Sequence, residues 1–351
     1  MITVAILAVI CGAEGWEHIE TFGKAREAWL RTVLTLPKGV PSDDTFRRVF
    51  TTLRSDEFRR CFTAWMQALV GTTEGKLVAI DGKTLRRSFD RAAGRSALHL
   101  VHAWVEANSI LLGQYATEAK SNEITAIPAL LALLDVRGAV VTIDAMGCQK
   151  AIAAQIVAQE ADYILALKDN HPTAHAQVVA YFEQAIGTPA IACSETTDGG
   201  HGRIEVRRVY TTTEIEWFEK RTEWEGLGCC IRVDCERTVG NKTTSESRYF
   251  LSSLKGPDPV QVGAYVRGHW SVENPLHWSL DVSFHEDASR IRKDHGPENF
   301  ALLRRIALVL LKNEHTAKGG VPAKRLRAGW DPDYLLKVLA TGISRNALEK
   351  G

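Results

Sequence analysis

Leu77-Val78-Ala79-Ile80-Asp81 and Ala139-Val140-Val141-Thr142-Ile143-Asp144 decide how this chain is read, because each is a short apolar run closed by an aspartate. Four or five β-branched and aliphatic residues in a row, bounded by Gly and polar residues, read as buried central strands. An ionised carboxylate at the end of such a strand is costly unless something pairs with it. Two of these strands in one sheet bring two carboxylates together, and like charges at that range repel by roughly 1–4 kcal/mol at effective dielectrics of 80 to 20. A divalent cation between them is the usual relief, so metal-dependent phosphoryl or acyl chemistry is the leading expectation.

Around these runs the pattern alternates between strands and helices. Ala97 to Trp104 and Ile110 to Tyr115 flank a hairpin loop at 106–109, so the first three strands are expected to be sequential and antiparallel. Ile124, Ile127, Leu130, Leu131 and Leu134 then mark a helix opening at Ser121-Asn122, with Pro128 tolerable only near its start. After the Asp144 strand come a helix over 149–160, a strand Tyr163–Leu167 and a helix over 172–186. The order βββ-α-β-α-β-α predicts an α/β, ribonuclease-H-like fold: a mixed sheet flanked by helices. Before it, residues 1–74 read as an N-terminal helical region, with Phe46, Val49, Phe50 and Leu53 at helical spacing behind Ser42 as N-cap. That region serves either for DNA contact or for packing. Residues 75–186 form the first part of the core, and 187–255, rich in Thr, Val and Ile with strand-like alternation, form a β-rich insertion. The rest of the core spans 256–315, helical over 260–284 and 298–312, and 316–351 form a C-terminal tail.

Composition narrows the class without naming it. At 351 residues, 45% hydrophobic and 24% charged, the chain is long enough for two or three domains and ordinary for a soluble protein. The net charge of +1 hides local clusters, Lys83, Arg86, Arg87, Arg91 and Arg95 in one stretch and Arg290, Arg292 and Lys293 in another. Such patches permit nucleic-acid binding but do not require it. Seven irregularly spaced cysteines argue against a secreted disulfide framework, and Cys229, Cys230 and Cys235 read as reduced thiols rather than a zinc site. The apolar opening, Ile2 to Cys11, is too short to span a bilayer and lacks a basic leader, so the cytoplasm is the expected compartment and no membrane partner is expected. It begins without a polar lead-in, and a shortened N-terminus is expected.

The segment Tyr265 to Phe284 is dense in reactive side chains. His269, Glu273 and His277 are spaced four apart and share one face of a helix, with Pro275 disturbing the phase beyond it. Three readings stand: Glu273 as a third metal-binding carboxylate, His269-Glu273-His277 as a zinc site, or a solvated polar face. The aspartate-ended strands favour the first, since oxygen ligands suit magnesium or manganese.

Several long strings resemble one family. AIDGKTLR (79–86), KSNEITAIPALL (120–131), TIDAMGCQK (142–150), DYILALKDN (162–170) and HWSVENPLHWSLDVSFHEDASRIR (269–292) resemble the DDE transposases of ISAs-type insertion sequences, the H-repeat-associated proteins. The resemblance extends through CGAEGWEHIETFG (11–23), LPKGVPSDDTFRRVF (36–50) and AGWDPDYLLKVL (328–339). It implies a ribonuclease-H-like catalytic domain with a β-strand insertion before the third acid, and a triad of Asp81, Asp144 and Glu273. It further implies two Mg2+ (or Mn2+) ions held by that triad, nicking at element ends, and strand transfer into target DNA. The implied partners are double-stranded terminal repeats, target DNA and a second copy of the chain in a bacterial, nucleoid-associated complex. Tyr265, Arg267 and Glu273 match the first three members of a Tyr-Arg-Glu-Lys signature, while Leu280 stands where lysine is expected.

Further DNA contacts are expected at Lys83, Arg86 and Arg87 beside the first aspartate, at Arg290 and Arg292 after Glu273, and at His201-Gly202-Arg203 in the insertion. Solvated strand ends and a simple hairpin turn are the alternatives. Trp217 and Trp224 either stack on an unpaired base or belong to the core. A nuclease that cuts without joining, and a remnant that only binds DNA, remain as other functions.

Overall fold

Five helices precede any strand: α1 (Ile2–Ile10), α2 (Trp16–Ala25), α3 (Glu27–Val33), α4 (Asp43–Thr52) and α5 (Ser55–Val70). The computed structural model describes residues 1–91, 94–107, 110–117, 123–200 and 202–342, and only the backbone of Asn274. α1 is apolar all round and is therefore enclosed, with Val4, Leu7, Val9 and Ile10 fully buried. α4 starts after Ser42, where Asp43 and Asp44 oppose the helix dipole. The Ser42 hydroxyl pairs with Thr45 Oγ1 at 3.1 Å instead of capping a backbone N–H. Trp16 stacks on Phe50 at 5.3 Å and meets Phe300 edge-on at 4.9 Å, which ties the helical region to the rest of the molecule. One hydrophobic core joins Val4 and Phe46 to Ile80 and Ile143.

The sheet follows the expected order. β1 (Leu77–Thr84), β2 (His99–Val105) and β3 (Ile110–Thr117) are antiparallel neighbours. Crossovers through α6 (Glu123–Leu131) and α7 (Lys150–Ala158) lay β4 (Val140–Ile143) and β5 (Asp162–Leu167) parallel to β1, giving β3-β2-β1-β4-β5. That is the ribonuclease-H-like arrangement. Pro128 lies inside α6 rather than near the start of its described part, and its carbonyl accepts from Gln155 at 2.9 Å. The hairpin loop at 106–109 and the Ser121-Asn122 helix start lie partly or wholly outside the described residues.

After α8 (Pro172–Ala185) come β6 (Ala192–Gly200), β7 (Arg203–Thr212), β8 (Cys229–Val239) and β9 (Lys242–Ser252). These are the strands expected of an insertion, but they do not form a sheet of their own. β9 pairs antiparallel with β5, from Ile164↔Ser252 to Leu167↔Tyr249, and the nine strands are continuous. Exposed main-chain groups on the β5 edge are thereby satisfied.

The helix expected over 260–284 is broken into three. α9 (Pro259–His269) is followed by a π-helical turn, Val272–Trp278, and α10 (Ser279–Phe284). Pro275 lacks an N–H and crowds the preceding turn, so the coil widens there. The Pro275 carbonyl accepts from Ser279 Oγ at 2.7 Å and Lys312 Nζ at 2.8 Å. α11 (Gly296–Asn313) runs through the centre and covers α1, and α12 (Val321–Trp330) and α13 (Pro332–Ala340) close the fold. Among the described residues no helix is long and apolar enough to cross a membrane.

Candidate metal centre

Parallel pairing of Ile80 with Ile143 puts the next residue of each segment, Asp81 and Asp144, side by side. A third acid joins them from α6. One oxygen each of Asp81, Glu123 and Asp144 lie within 4.8 Å of one another. Gly82 makes this possible: a Cβ there would collide with Glu123 Oε1 and His99 Nε2. His99 Nε2 holds Glu123 Oε1 at 2.8 Å, and its Nδ1 meets Thr84 Oγ1 at 2.7 Å. Asp144 Oδ1 accepts from the Met146 and Gly147 N–H groups at 3.1 and 3.2 Å.

Electrostatics report how crowded the acids are. Burial pushes the Asp81 carboxyl up to about 7, helped by the charges of Glu123, Asp144 and Glu273 and opposed by the Gly82 N–H. Asp144 is raised for the same first reason and by Glu123, while the two loop N–H groups and Lys168 oppose the rise. Two carboxylates raised in this way beside the Glu123 oxygen, hard oxygen donors only, fit a divalent cation such as Mg2+ or Mn2+.

Glu273 stands exposed on the π turn and lines the same cavity, about 230 Å³, with Asp81, Asp144, Lys168 and Arg248. It is outside the tight three-acid group. The zinc reading does not hold among the described residues: His269 Nδ1 engages Thr142 Oγ1 at 3.0 Å, while His277 turns inward between Asp81 and His102. Burial depresses both imidazoles, His269 to about 4 and His277 to about 3. Sequence reading missed Glu123, which looks like any acid in a first helical turn, and His102, whose signal was a polar residue inside an apolar strand.

A family model for the transposase DDE domain matches residues 72–310, and one for the DDE_Tnp_1-associated region matches residues 1–66. The chain belongs to the DDE transposase family. The putative transposase YncI of Escherichia coli O157:H7 is 40% identical over 343 residues, 96% of this chain and 88% of that protein. The H repeat-associated putative transposase YhhI of Escherichia coli K12 is 36% identical over 351 residues, 98% and 93% of the two chains. Among solved structures, the piggyBac transposase synaptic complex with hairpin DNA aligns over 99% of this chain and 74% of that one, at 10% identity and a TM-score of 0.45.

The other sites expected of a transposase separate on exposure. Lys83 is a correction: it is buried, its ammonium 2.8 and 2.7 Å from the two Asp281 oxygens and 3.5 Å from Asp287, so it braces α10 instead of reaching phosphate. Of the two readings left open for Trp224, the core one holds: it is 2% exposed and packs edge-on to His171. Trp217 is half-buried, with Tyr181 stacked on its ring at 4.1 Å. Leu280, at the place of the expected lysine, is fully buried. Arg86, Arg87 and Arg290 are exposed, and Arg292 lies on Phe89 with its Nε donating to the Arg87 carbonyl at 3.2 Å, which brings the two basic stretches together. Arg267 is exposed and pairs with Asp198 at 2.7 Å, half-buried Tyr265 accepts from Gln261 at 2.9 Å, and exposed Arg203 lies 3.8 Å from Glu205. His201 lies outside the described residues. Cys229 and Cys230 are buried free thiols.

Proposed function

We propose that this chain is a metal-dependent DNA transposase that nicks element ends and joins the freed 3′ ends to target DNA. The observation that carries the reading is the convergence of Asp81 and Asp144, from adjacent parallel strands, with a third acid inside 4.8 Å. Asp81 and Asp144 hold the cation, two Mg2+ or Mn2+ ions in the full site, with Glu273 closing the cavity from the π turn and Glu123 adding an oxygen from α6. Bound there, the metal supplies Lewis-acid polarisation of the scissile phosphate and a nucleophile ionised at neutral pH.

The chain's own residues do the positioning, which dominates phosphodiester chemistry. Lys168, at the cavity wall, meets the phosphate being cut. Arg86, Arg87, Arg290 and Arg292 follow the flanking strand on one side, and Arg203, Tyr265 and Arg267 on the other, as backbone contacts that set register without reading sequence. Two element ends in one complex require a second copy of the chain.

Labelled DNA carrying the inverted repeats sought in the sequence around the coding region, incubated with Mg2+ and a target plasmid, tests this. Nicked ends and joined product are expected, both lost in Asp81→Asn and Asp144→Asn. Nicks without joined product would make the protein a nuclease, and binding without cleavage a DNA-binding remnant.

A further inference from the structure

Behind Asp81, on the side away from the cavity, the sheet buries an unusual set of polar groups. His102 is directly opposite Asp81 in the β1–β2 register and is fully buried. Arg305 of α11, also fully buried, sends Nε and Nη2 to His102 Nε2 at 3.1 and 2.9 Å. Its Nη1 and Nη2 grip buried Glu286 at 2.6 and 3.2 Å, and Nη1 also donates to the Ala301 carbonyl at 2.9 Å. His102 Nδ1 lies 3.3 Å from His277 Nε2, and His277 Nδ1 lies 3.7 Å from Asp81 Oδ2.

The donors in this set run in one direction only. A guanidinium has no acceptor, so His102 Nε2 must accept and its proton must be on Nδ1. That proton is given to His277 Nε2, which forces the His277 proton onto Nδ1, where it faces the Asp81 carboxylate. Each ring accepts at Nε2 and so carries its proton on Nδ1, and the order cannot reverse. Two buried charges and two buried imidazoles are a poor source of stability compared with apolar side chains of the same size. They make sense as a means of fixing one acid.

We infer that Glu286, Arg305, His102 and His277 form a directed hydrogen-bond chain that aims Asp81 Oδ2 away from the cavity and leaves Oδ1 presented to a cation. The proposal rests on the reading of Asp81 as a metal ligand, and the four are positioning residues. The last step, His277 Nδ1 to Asp81 Oδ2 at 3.7 Å, is longer than a hydrogen bond and is the weakest link of the chain.

Two measurements on the full chain test it. Nitrogen-15 NMR of labelled imidazoles, without metal, is expected to show the Nδ1–H tautomer for both His102 and His277; an Nε2–H tautomer at either ring overturns the chain. Mn2+ titration followed by electron paramagnetic resonance is expected to show affinity about 10- to 100-fold weaker in His277→Ala, the usual range for losing a ligand's hydrogen-bond partner. His277→Asn, whose amide N–H takes the place of Nδ1–H, is expected to restore most of it. If Asp81→Asn loses Mn2+ while His277→Ala binds it as the wild type does, the positioning role falls and the metal reading stands. If the wild type binds no Mn2+, both fall together.

Discussion

Strands β3-β2-β1-β4-β5 are covered on both faces, with Val78, Val101, Leu111, Val141 and Leu165 fully buried, whereas eight of the nine residues of β6 are exposed. The two halves belong to one ladder, yet different forces hold them. Inside, apolar burial dominates, and buried charges are paired, as in Glu286–Arg305 and Lys83–Asp281. Outside, the strands are tied by cross-strand ion pairs: Arg208 reaches Glu195 on β6 at 2.6 Å and Glu236 on β8 at 2.8 Å. Only the end of the outer half near β5 has a core, where Ile231, Val233 and Phe250 pack under Val262 and Val266 of α9. The acidic cavity lies at the seam, lined by Asp144 and Ile164 from one side and by Arg248 and Phe250 from the other. A rigid inner half can hold carboxylates against their repulsion, while the outer half carries charges of both signs, largely paired with one another.

The sharpest test of that contrast is a buried charge. Arg305→Leu leaves Glu286 enclosed with Arg304 at 3.9 Å as its remaining cation, and a loss of about 3–5 kcal/mol is expected in urea unfolding. A loss below 1 kcal/mol would mean the inner half is not the rigid part.

Next in size is metal binding. Mn2+ at a hundred times its dissociation constant is expected to stabilise the wild type by about 2.7 kcal/mol, read as a rise in melting temperature, with no rise in Asp81→Asn. Because Asp81 keeps its proton up to about pH 7, the ion must displace it, and affinity is expected to weaken by about tenfold per unit below that pH. Gly82→Ala, which pushes Glu123 out, is expected to lower Mn2+ affinity as Glu123→Gln does. Glu273→Gln, outside the tight group, is expected to leave affinity for the first ion nearly unchanged and to suppress DNA cleavage.

Acid should act on the inner half as well. His102, His269 and His277 are held neutral with lowered pKa values, whereas the unfolded chain takes up protons near pH 6.5. Their stabilisation is therefore complete above about pH 6.5 and is lost as pH falls towards 4. The raised Asp81 carboxyl works in the opposite sense, losing stability as pH rises from about 4 to 7, and Asp144 is raised too, so melting curves in the Asp81→Asn background remove the Asp81 part of that opposing effect.

The smallest effect belongs to the outer half. Arg208→Ala breaks two pairs whose side chains are a third or more exposed, and only a small shift of the denaturation midpoint, vanishing in high salt, is expected. A larger cost would show that the outer ladder depends on these charges.

Much of the core was legible because its signals are local. Aliphatic runs closed by aspartate must be strands, and the period of the segments between them must be helical. The β-rich stretch was legible as strands too, but not its attachment: which edge β9 joins depends on β5, far away in the chain. The three histidine-and-glutamate positions after Tyr265 looked like one helical face, and Pro275 turned them apart. Lys83 read as DNA-facing, and Trp224 was left between stacking and core, because charge and aromaticity say nothing about burial, which Asp281 and the packing against His171 decide.

The amino-acid order by itself determined two aspartates behind buried strand runs and a sheet to carry them, since an unbroken aliphatic run has nowhere stable to go but a buried strand; that β1 continues past Asp81 to Thr84 was not legible. Only the tertiary structure decided which further acids gather there. Glu123 reaches the aspartates because Gly82 has no side chain to stop it, and Glu273 reaches the rim because a proline widens one helical turn; both depend on the space between segments remote in the chain.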